Sequence, residues 1–419
     1  MTGTLCLVEA NRSPGNTADY VRVAATLGLS TTILSSDRSS VAGLDLFGTP
    51  EPYVVVTDTK DPAEVIGAIR SRCAPDVVGV TSAHDFYAPI AAEAARALGL
   101  PGPDPAAVWA CRRKDVVRDR LAEAGVAQPE YQWCEGPEEA VVAARRIGFP
   151  VIVKPVALAD SIGVERCETA EEVAGHVRSL TSSAQFSTRR PVPGDLRSRV
   201  LVEAFIEGRE FAVEVLDGRA IGVTETSFGP PPGFVEHQHV MTDSVSTDPA
   251  VGGALRTAAE RASIALGLIR GPAHIEFRLL ESTPAVIEIN PRLAGGRIPE
   301  LYQRTTGLDL WRAAIASCLV GQPAPVVVPP VTGAGVLRHL RLAHGESEPA
   351  DVTRLGWSSP DCYVHLMRNG SLRGRPKRTS DSVGWAIATG PDATACNRKL
   401  DDVFRQLDEQ VRLWPPPPR

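Results

Sequence analysis

The sequence predicts an α/β protein that opens on a parallel sheet and becomes α+β towards its middle and end. Three observations carry that prediction. Short apolar strands alternate with helical segments through the first hundred residues, the pattern of a parallel sheet covered on both faces. Beyond residue 104 helices give way to strand pairs, of which 273–290 reads as a hairpin with one polar face. Past residue 326 three more strands and one helix form a small α+β unit. A chain of 419 residues exceeds one ordinary core and divides into about three domains. The boundaries fall at 1–103, 104–325 and 326–419.

Composition excludes several classes of function. Hydrophobic residues at 43% and charged ones at 22% are ordinary globular values, and a net charge of -6 argues against non-specific nucleic-acid binding. The first apolar run is too short for a signal peptide, and none approaches the roughly 20 residues of a spanning helix. The expectation is a cytoplasmic protein. Its 8 cysteines lack Cys-x-x-Cys or zinc-type spacing, so they read as reduced, packed thiols without a catalytic role.

Taken in order, Thr4–Glu9 is an apolar strand, Asn11–Asn16 a turn, Thr17–Leu27 a helix and Thr31–Leu34 a strand. Tyr53–Val56, Pro62–Cys73, Val77–Val80 and Tyr87–Leu98 continue the alternation. The first turn is not a Gly-x-Gly-x-x-Gly fingerprint, which removes support for a dinucleotide site. Thr81, Ser82 and Asp85 follow a strand at its carboxyl end, where open sheets place ligands, although loop polarity also accounts for them. From Asp104 a helix with a basic face runs through Lys114 to a Gly125 stop. Glu138–Gly148 is a helix, and Phe149–Pro155 a buried strand ending on Lys154, a lysine that stays charged there only beside anions or water. Val156–Val164 is a loop carrying Ser161 and Gly163, Ala170–Leu180 a helix, and Thr181–Ser198 an exposed loop. Strands Val200–Glu203 and Glu210–Leu216 flank the connector Ala204, Phe205, Ile206. Glu236 and His239 sit in a loop before helix Ala250–Leu266. After the hairpin, Gly307–Cys318 is a helix and Val326–Pro330 a linker. Strands Gly333–Leu340, Tyr363–Met367 and Val383–Thr389, helix Ala393–Leu413 and a proline tail complete the chain.

The hairpin carries the chemistry. Strand periodicity puts His274, Glu276 and Arg278 on one face, and a turn centred on Ser282 sets Glu276 opposite Glu288. A polar hairpin face is commonly just half solvated. Two facing carboxylates repel, however, unless one is protonated or a cation lies between them. Glu276, Glu288 and Asn290 offer hard oxygen ligands that suit Mg²⁺ better than Zn²⁺. Arg292 follows at once, and Gly295-Gly296 lets backbone approach a ligand closely. Magnesium ligands beside an arginine point to phosphate chemistry.

An acidic residue followed by Glu288-x-Asn290-Pro291-Arg292, with the upstream segments above, resembles the ATP-grasp superfamily of carboxylate-amine ligases. The outline is similar to L-amino acid ligases, whose C-terminal subdomain the last strands resemble. The resemblance implies an ATP-grasp fold and the cofactors ATP and Mg²⁺, for which Mn²⁺ can substitute. It implies that Lys114 and Lys154 reach phosphates and that Ser161 and Gly163 belong to a loop closing over them. It further implies that Glu203 with Ala204, Phe205 and Ile206 holds adenine, that Glu210 takes ribose hydroxyls, and that Glu236 and His239 lie near substrate. Arg292 would be catalytic, with Lys154, and would touch substrate together with Gly295 and Gly296.

The implied reaction transfers the γ-phosphate of ATP to a carboxylate and lets an amine attack the acyl phosphate. Partners are then small acids and amines, amino acids first, with no nucleic acid and no membrane, and a homodimer is left open. Two alternatives stand beside it: a biotin carboxylase-like enzyme, and a nucleotide-binding regulatory protein without turnover. The second is motivated by Ala157 and Ala159 where the family's loop carries glycines.

Overall fold

The computed structural model describes residues 3–10, 17–42, 44, 46, 48–73, 75–158, 161–182, 199–229, 234–243, 245, 248–321, 326–341, 358–359, 361–366, 382–408 and 413. Strands β1 (Thr4–Val8), β2 (Ser30–Ser35), β3 (Tyr53–Val56) and β4 (Val77–Thr81) form a parallel sheet ordered β3-β2-β1-β4. Alternate residues of β1 feed opposite cores. Leu5 and Leu7 pack with Tyr20 and Val23 of α1 (Thr17–Thr26), while Cys6 and Val8 pack with Ile69 of α3 (Pro62–Arg72) and Ile90 of α4 (Ala88–Ala97). A short helix α2 (Arg38–Ala42) was not foreseen. Strand order reverses between β1 and β4, so the crevice at their carboxyl ends opens towards the rest of the molecule.

The basic helix expected from Asp104 is two helices, α5 (Pro105–Cys111) and α6 (Lys114–Glu123), broken at Arg112 and Arg113. The Asp104 side chain caps α5 by accepting from Ala106 N at 3.2 Å. Strands β5 (Tyr131–Glu135), β6 (Val151–Pro155), β7 (Glu165–Cys167) and β8 (Arg199–Ala204) form an antiparallel sheet ordered β5-β8-β6-β7. Helices α7 (Pro137–Ile147) and α8 (Ala170–Ser182) bury Ala140, Ala144, Val173 and Val177 against it.

A nine-stranded antiparallel sheet organises the remainder, in the order β13-β12-β9-β10-β11-β14-β17-β16-β15. Its strands are β9 (Glu210–Leu216), β10 (Arg219–Phe228), β11 (Glu236–Thr242), β12 (Pro272–Leu280), β13 (Thr283–Asn290), β14 (Ala334–Leu340), β15 (Ser358–Ser359), β16 (Cys362–Leu366) and β17 (Gly384–Gly390). The C-terminal strands therefore extend the central sheet through the β11–β14 pairing. Phe211, Val213, Ile275 and Phe277 face α9 (Ala254–Leu266), which opens with a π-helical turn at Pro249–Gly253. On the opposite face lie α10 (Ile298–Thr306) and α11 (Leu310–Cys318). Helix α12 (Ala393–Asp408) packs Leu400, Val403 and Phe404 on Val336 and Ala386.

Several expectations need correction. Residues 236–239 lie in a strand, not a loop, because 236–242 pairs with both β10 and β14. Strand β10 and helix α10 were not read from the sequence, and Gly307, expected to start a helix, ends α10 in the left-handed conformation with φ 80°. Asp309 instead caps α11, accepting from Arg312 N at 2.9 Å. The last helix is described over Ala393–Asp408, and Leu413, expected at its end, lies in a β-bridge instead. The turn at 11–16, residues 183–198 of the expected loop, Ala159 and the proline tail lie outside the described residues. Among the described residues no helix is long and apolar enough to cross a membrane.

Helix α10 seats on the sheet where two strands have lost their side chains. A Cβ at Gly222 would lie 2.3 Å from Tyr302 Cε1, and one at Gly335 only 1.9 Å from Thr305 Oγ1 and 2.9 Å from Leu301 Cδ1. Gly335→Ala is therefore expected to destabilise the fold by about 1–3 kcal/mol, the usual cost of overpacking. Equilibrium urea denaturation checks this, and an unchanged midpoint would contradict the packing.

Candidate active site

A cavity of about 320 Å³ lies between the small sheet and the nine-stranded sheet, with the parallel-sheet domain closing one side. Of the residues singled out in the sequence, Lys114, Lys154, Ser161, Glu203, Ala204, Phe205, Ile206, Glu210, Glu236, Glu276, Glu288, Asn290, Arg292, Gly295 and Gly296 all line it. Gly163 and His239 do not. Gly163 (φ 74°) packs where a Cβ would meet Leu180 at 2.6 Å, and His239 is wholly buried behind the wall.

The hairpin register follows from two compensating features. Leu280 pairs with Thr283 around a two-residue turn, Glu281-Ser282, with Glu281 at φ 56°. That turn alone would set Glu276 opposite Ile287. A bulge at Ile287 shifts the register by one residue, so that Glu276 pairs with Glu288 and His274 with Asn290. The extra residue has a use, since its carbonyl accepts from Arg118 Nη2 at 2.6 Å and Lys154 Nζ at 3.5 Å.

Most carboxylates facing the cavity lie beside a cation. Lys114 Nζ lies 2.8 Å from Glu288 Oε1 and donates to Leu158 O at 2.6 Å. Burial alone would raise the Glu288 carboxyl, but Lys114 and Lys154 outweigh it and hold it below the usual range. His274 Nδ1 lies 2.5 Å from Glu214 Oε1, and its Nε2 lies 3.3 Å from Glu276 Oε1. Burial works against the charge on His274, yet Glu214 and Glu276 push it up to about 10, so it is a cation at neutral pH. Glu203 is ion-paired through one oxygen to Arg118 Nε at 2.6 Å and through the other to Lys154 Nζ at 2.7 Å. Burial opposes its ionisation, but these two cations bring it down to about 2. Its carboxylate oxygens retain further lone pairs for a ligand amine. Burial lowers Lys154, and Glu203 with Glu288 counters that. Glu210 pairs with Arg278 at 2.8 Å, burial and Glu276 pushing its carboxyl up against that pull.

Four functional positions escaped the sequence reading. Arg118 is one helical turn beyond Lys114, and this i, i+4 spacing on α6 could have identified it. Arg278 donates to Ile206 O at 2.9 Å, fixing the connector, and lies 5.2 Å from the Phe205 ring and 5.7 Å from that of Phe228. For His274 periodicity gives only a shared face with Glu276, not its pairing with Glu214. For Asp85 the sequence favours loop polarity over a ligand contact. It is instead buried in the β1/β4 crevice and holds Arg292 Nε at 2.7 Å. Burial opposes ionisation there too, and Arg292 with Arg112 brings Asp85 to about 2. Ser82, likewise buried, donates to Val8 O at 2.7 Å and shapes the turn.

The donor set fits the implied groups. Glu276, Glu288 and Asn290 present hard oxygens on one sheet face, which suits Mg²⁺. Lys114 and Lys154 converge on the same region from α6 and β6, as a polyphosphate requires. The flat apolar lining of Ile152, Phe205 and Ile287 beside the connector backbone suits a purine.

Comparison with known proteins gives the same answer. Residues 147–300 match the family model of the ATP-grasp domain and residues 21–102 that of the ATP-grasp N-terminal domain. The uncharacterized protein y4rH of Sinorhizobium fredii is 35% identical over 311 residues, covering 74% of this chain and 62% of that protein. Alanine–anticapsin ligase of Bacillus subtilis is 28% identical over 289 residues, covering 66% of this chain and 59% of the ligase. The chain thus spans about three fifths of the length of these curated relatives. The crystal structure of an L-amino acid ligase from Bacillus licheniformis superposes with a TM-score of 0.76 at 20% identity, covering 98% of each chain. The chain belongs to the ATP-grasp superfamily.

Proposed function

We propose that the protein is an ATP-dependent, ADP-forming carbon–nitrogen ligase that joins a carboxylate to an amine, with an amino acid among its substrates. One observation carries this reading: facing carboxylates Glu276 and Glu288, with Asn290 alongside, are bracketed by Lys114, Lys154 and Arg292 around one cavity. The similarity to alanine–anticapsin ligase supports the amino-acid class over bicarbonate. ATP and Mg²⁺ are the cofactors. Glu276, Glu288 and Asn290 would hold Mg²⁺, which supplies charge neutralisation at the phosphates when bound.

Within that reading Lys114 and Lys154 bind the phosphates, Ser161 lies in the covering loop, and Gly163 anchors that loop. Ala204, Phe205 and Ile206 face adenine with Glu203, and Glu210 faces the ribose. The substrate carboxylate oxygen attacks the γ-phosphorus and the bond to the β-phosphate oxygen breaks, giving acyl phosphate and ADP. The amine then attacks the acyl carbon, phosphate leaves and the amine loses a proton. Arg292, oriented by Asp85, is placed to steady the oxyanion of that second step, with Gly295, Gly296 and Glu236 shaping the substrate end. The division at 103/104 and 325/326 then separates a domain that supplies Asp85 from the catalytic core, and the core from strands that complete its sheet.

Two measurements test the proposal. With ¹⁸O in the acid's carboxylate, label is expected in inorganic phosphate, and label in AMP would overturn the acyl phosphate. Arg292→Ala is expected to lower kcat by about 10²–10³-fold, the usual effect of removing an oxyanion donor. Single-turnover kinetics with a screened pair of amino acids reads this, and an unchanged rate would remove Arg292 from the chemistry.

A further inference from the structure

At the end of the cavity away from the lysines, β11 carries a second bulge. Ser227 pairs with Gln238 but Phe228 pairs with Glu236, leaving His237 as the extra residue. Regular alternation would put Glu236 and His239 on opposite faces, and the bulge brings them to the same one. His339 shares that face on the neighbouring strand, because His239 pairs with Leu337 and His339 lies two residues on. The His239 and His339 rings meet edge to face with centroids 5.5 Å apart, and Glu236 Oε2 lies 3.6 Å from His239 Nε2. One donor atom from each of the three residues lies within 4.8 Å of the other two.

Both imidazole Nε2 atoms are fully buried with no hydrogen-bond partner. Orphaned buried polar atoms are rare, and two in one cluster with a carboxylate call for a ligand. The remaining wall is Gly296, held at φ 60°, where a Cβ would lie 3.4 Å from His339 Nε2 and 3.6 Å from His239 Nε2. The other nitrogen of His239 is 3.2 Å from Thr226 Oγ1, the kind of contact that fixes ring orientation behind a metal ligand.

We propose that Glu236, His239 and His339 form a binding site for a Zn²⁺-class divalent cation, distinct from the oxygen-only Mg²⁺ site on the hairpin. Two imidazoles and one carboxylate select a borderline cation, whereas Glu276, Glu288 and Asn290 select a hard one. Glu236 and His339 line the cavity, so the cation's open coordination position faces the substrate end. Burial first and then Arg341 disfavour positive charge at His339, and Glu236 counters them only in part. The carboxylate is accordingly the most sensitive ligand. The proposal does not depend on the ligase reading, and its test measures binding alone.

Full-length protein stripped with chelator and kept in excess Mg²⁺ is titrated with Zn²⁺ by calorimetry. One equivalent is expected to bind, and Glu236→Gln and His339→Gln, checked for native melting, are each expected to weaken it at least tenfold, while Glu288→Gln leaves it in place. Wild-type protein loaded with Co²⁺ or Cu²⁺ gives a readout independent of any variant. Nitrogen hyperfine coupling from two imidazoles on Cu²⁺ supports the site, whereas thiolate charge-transfer bands on Co²⁺ would assign the ion to cysteine. Absence of Zn²⁺ uptake, or uptake unchanged in folded Glu236→Gln protein, would overturn the proposal.

Discussion

The constraint on which the architecture depends is the burial of many carboxylates around one cavity. Glu210, Glu214, Glu276 and Glu288 share one face of the nine-stranded sheet, and Glu203 approaches from the small sheet. Burying an ion without a partner costs several kcal/mol, so each needs a cation or a proton. The cations come from separate elements: Lys114 and Arg118 from α6, Lys154 from β6, His274 and Arg278 from β12. Charge balance therefore ties the two sheets and α6 together, and those ties run through the residues that would meet a nucleotide. A polyphosphate entering the site would compete with Glu203 and Glu288 for the lysines. A divalent cation on Glu276 and Glu288 would release Lys114 to follow the phosphate. On the proposed reading, metal and nucleotide would thereby be coupled through one ammonium group.

Much of this was legible in the sequence, and the illegible parts share a physical cause. Periodicity found the parallel sheet because β1 to β4 are short apolar runs separated by helices with clear stops. It found the facing of Glu276 and Glu288 too, although from a turn centred on Ser282 where the structure has a two-residue turn plus a bulge at Ile287. Two local departures cancel there. At 236–239 a departure does not cancel, since the bulge at His237 disrupts alternation and makes a strand read as a loop. Strand β10 was missed for a related reason: Ile221 bulges against β9, and Gly222 and the threonines Thr224 and Thr226 dilute its apolar pattern. Gly222 is there to admit Tyr302, a tertiary requirement invisible in a local window.

The site residues divide along the same line. Those whose chemistry is displayed by immediate neighbours, such as Lys154 at the end of an apolar strand or Glu288-x-Asn290 before Pro291-Arg292, were identifiable. Those that act by reaching across the fold were not. Asp85 is remote in sequence from Arg292, and its carboxylate reads as loop polarity until the β1/β4 crevice is seen to abut the hairpin. Arg297 is a further case. It bridges Asp19 of α1 to Glu300 of α10 and stacks 4.6 Å from the Trp385 ring, so one side chain joins the N-terminal domain, the central segment and the C-terminal strands.

That last junction bears on how the substrate end is built. Trp385 lines the cavity, stacks on His365 at 4.1 Å, donates from Nε1 to Glu300 at 3.2 Å and pairs with His339 across β14 and β17. On the proposed reading, the nucleotide end is made of strands contiguous in the central segment, from β6 through β13. The other end of the cavity, where the proposed acid and amine would sit, instead draws one residue or more from each region: Asp85, Arg292 with Gly295 and Gly296, Glu236, His339 and Trp385. Substitutions in either terminal region can thus reshape that pocket without disturbing the lysines or the facing carboxylates. Extending the central sheet with the C-terminal strands, rather than appending a separate module, places His339 and Trp385 at fixed register positions relative to the hairpin. If the proposed ligase reading holds, selectivity could then vary while the arrangement of lysines and facing carboxylates stays constant.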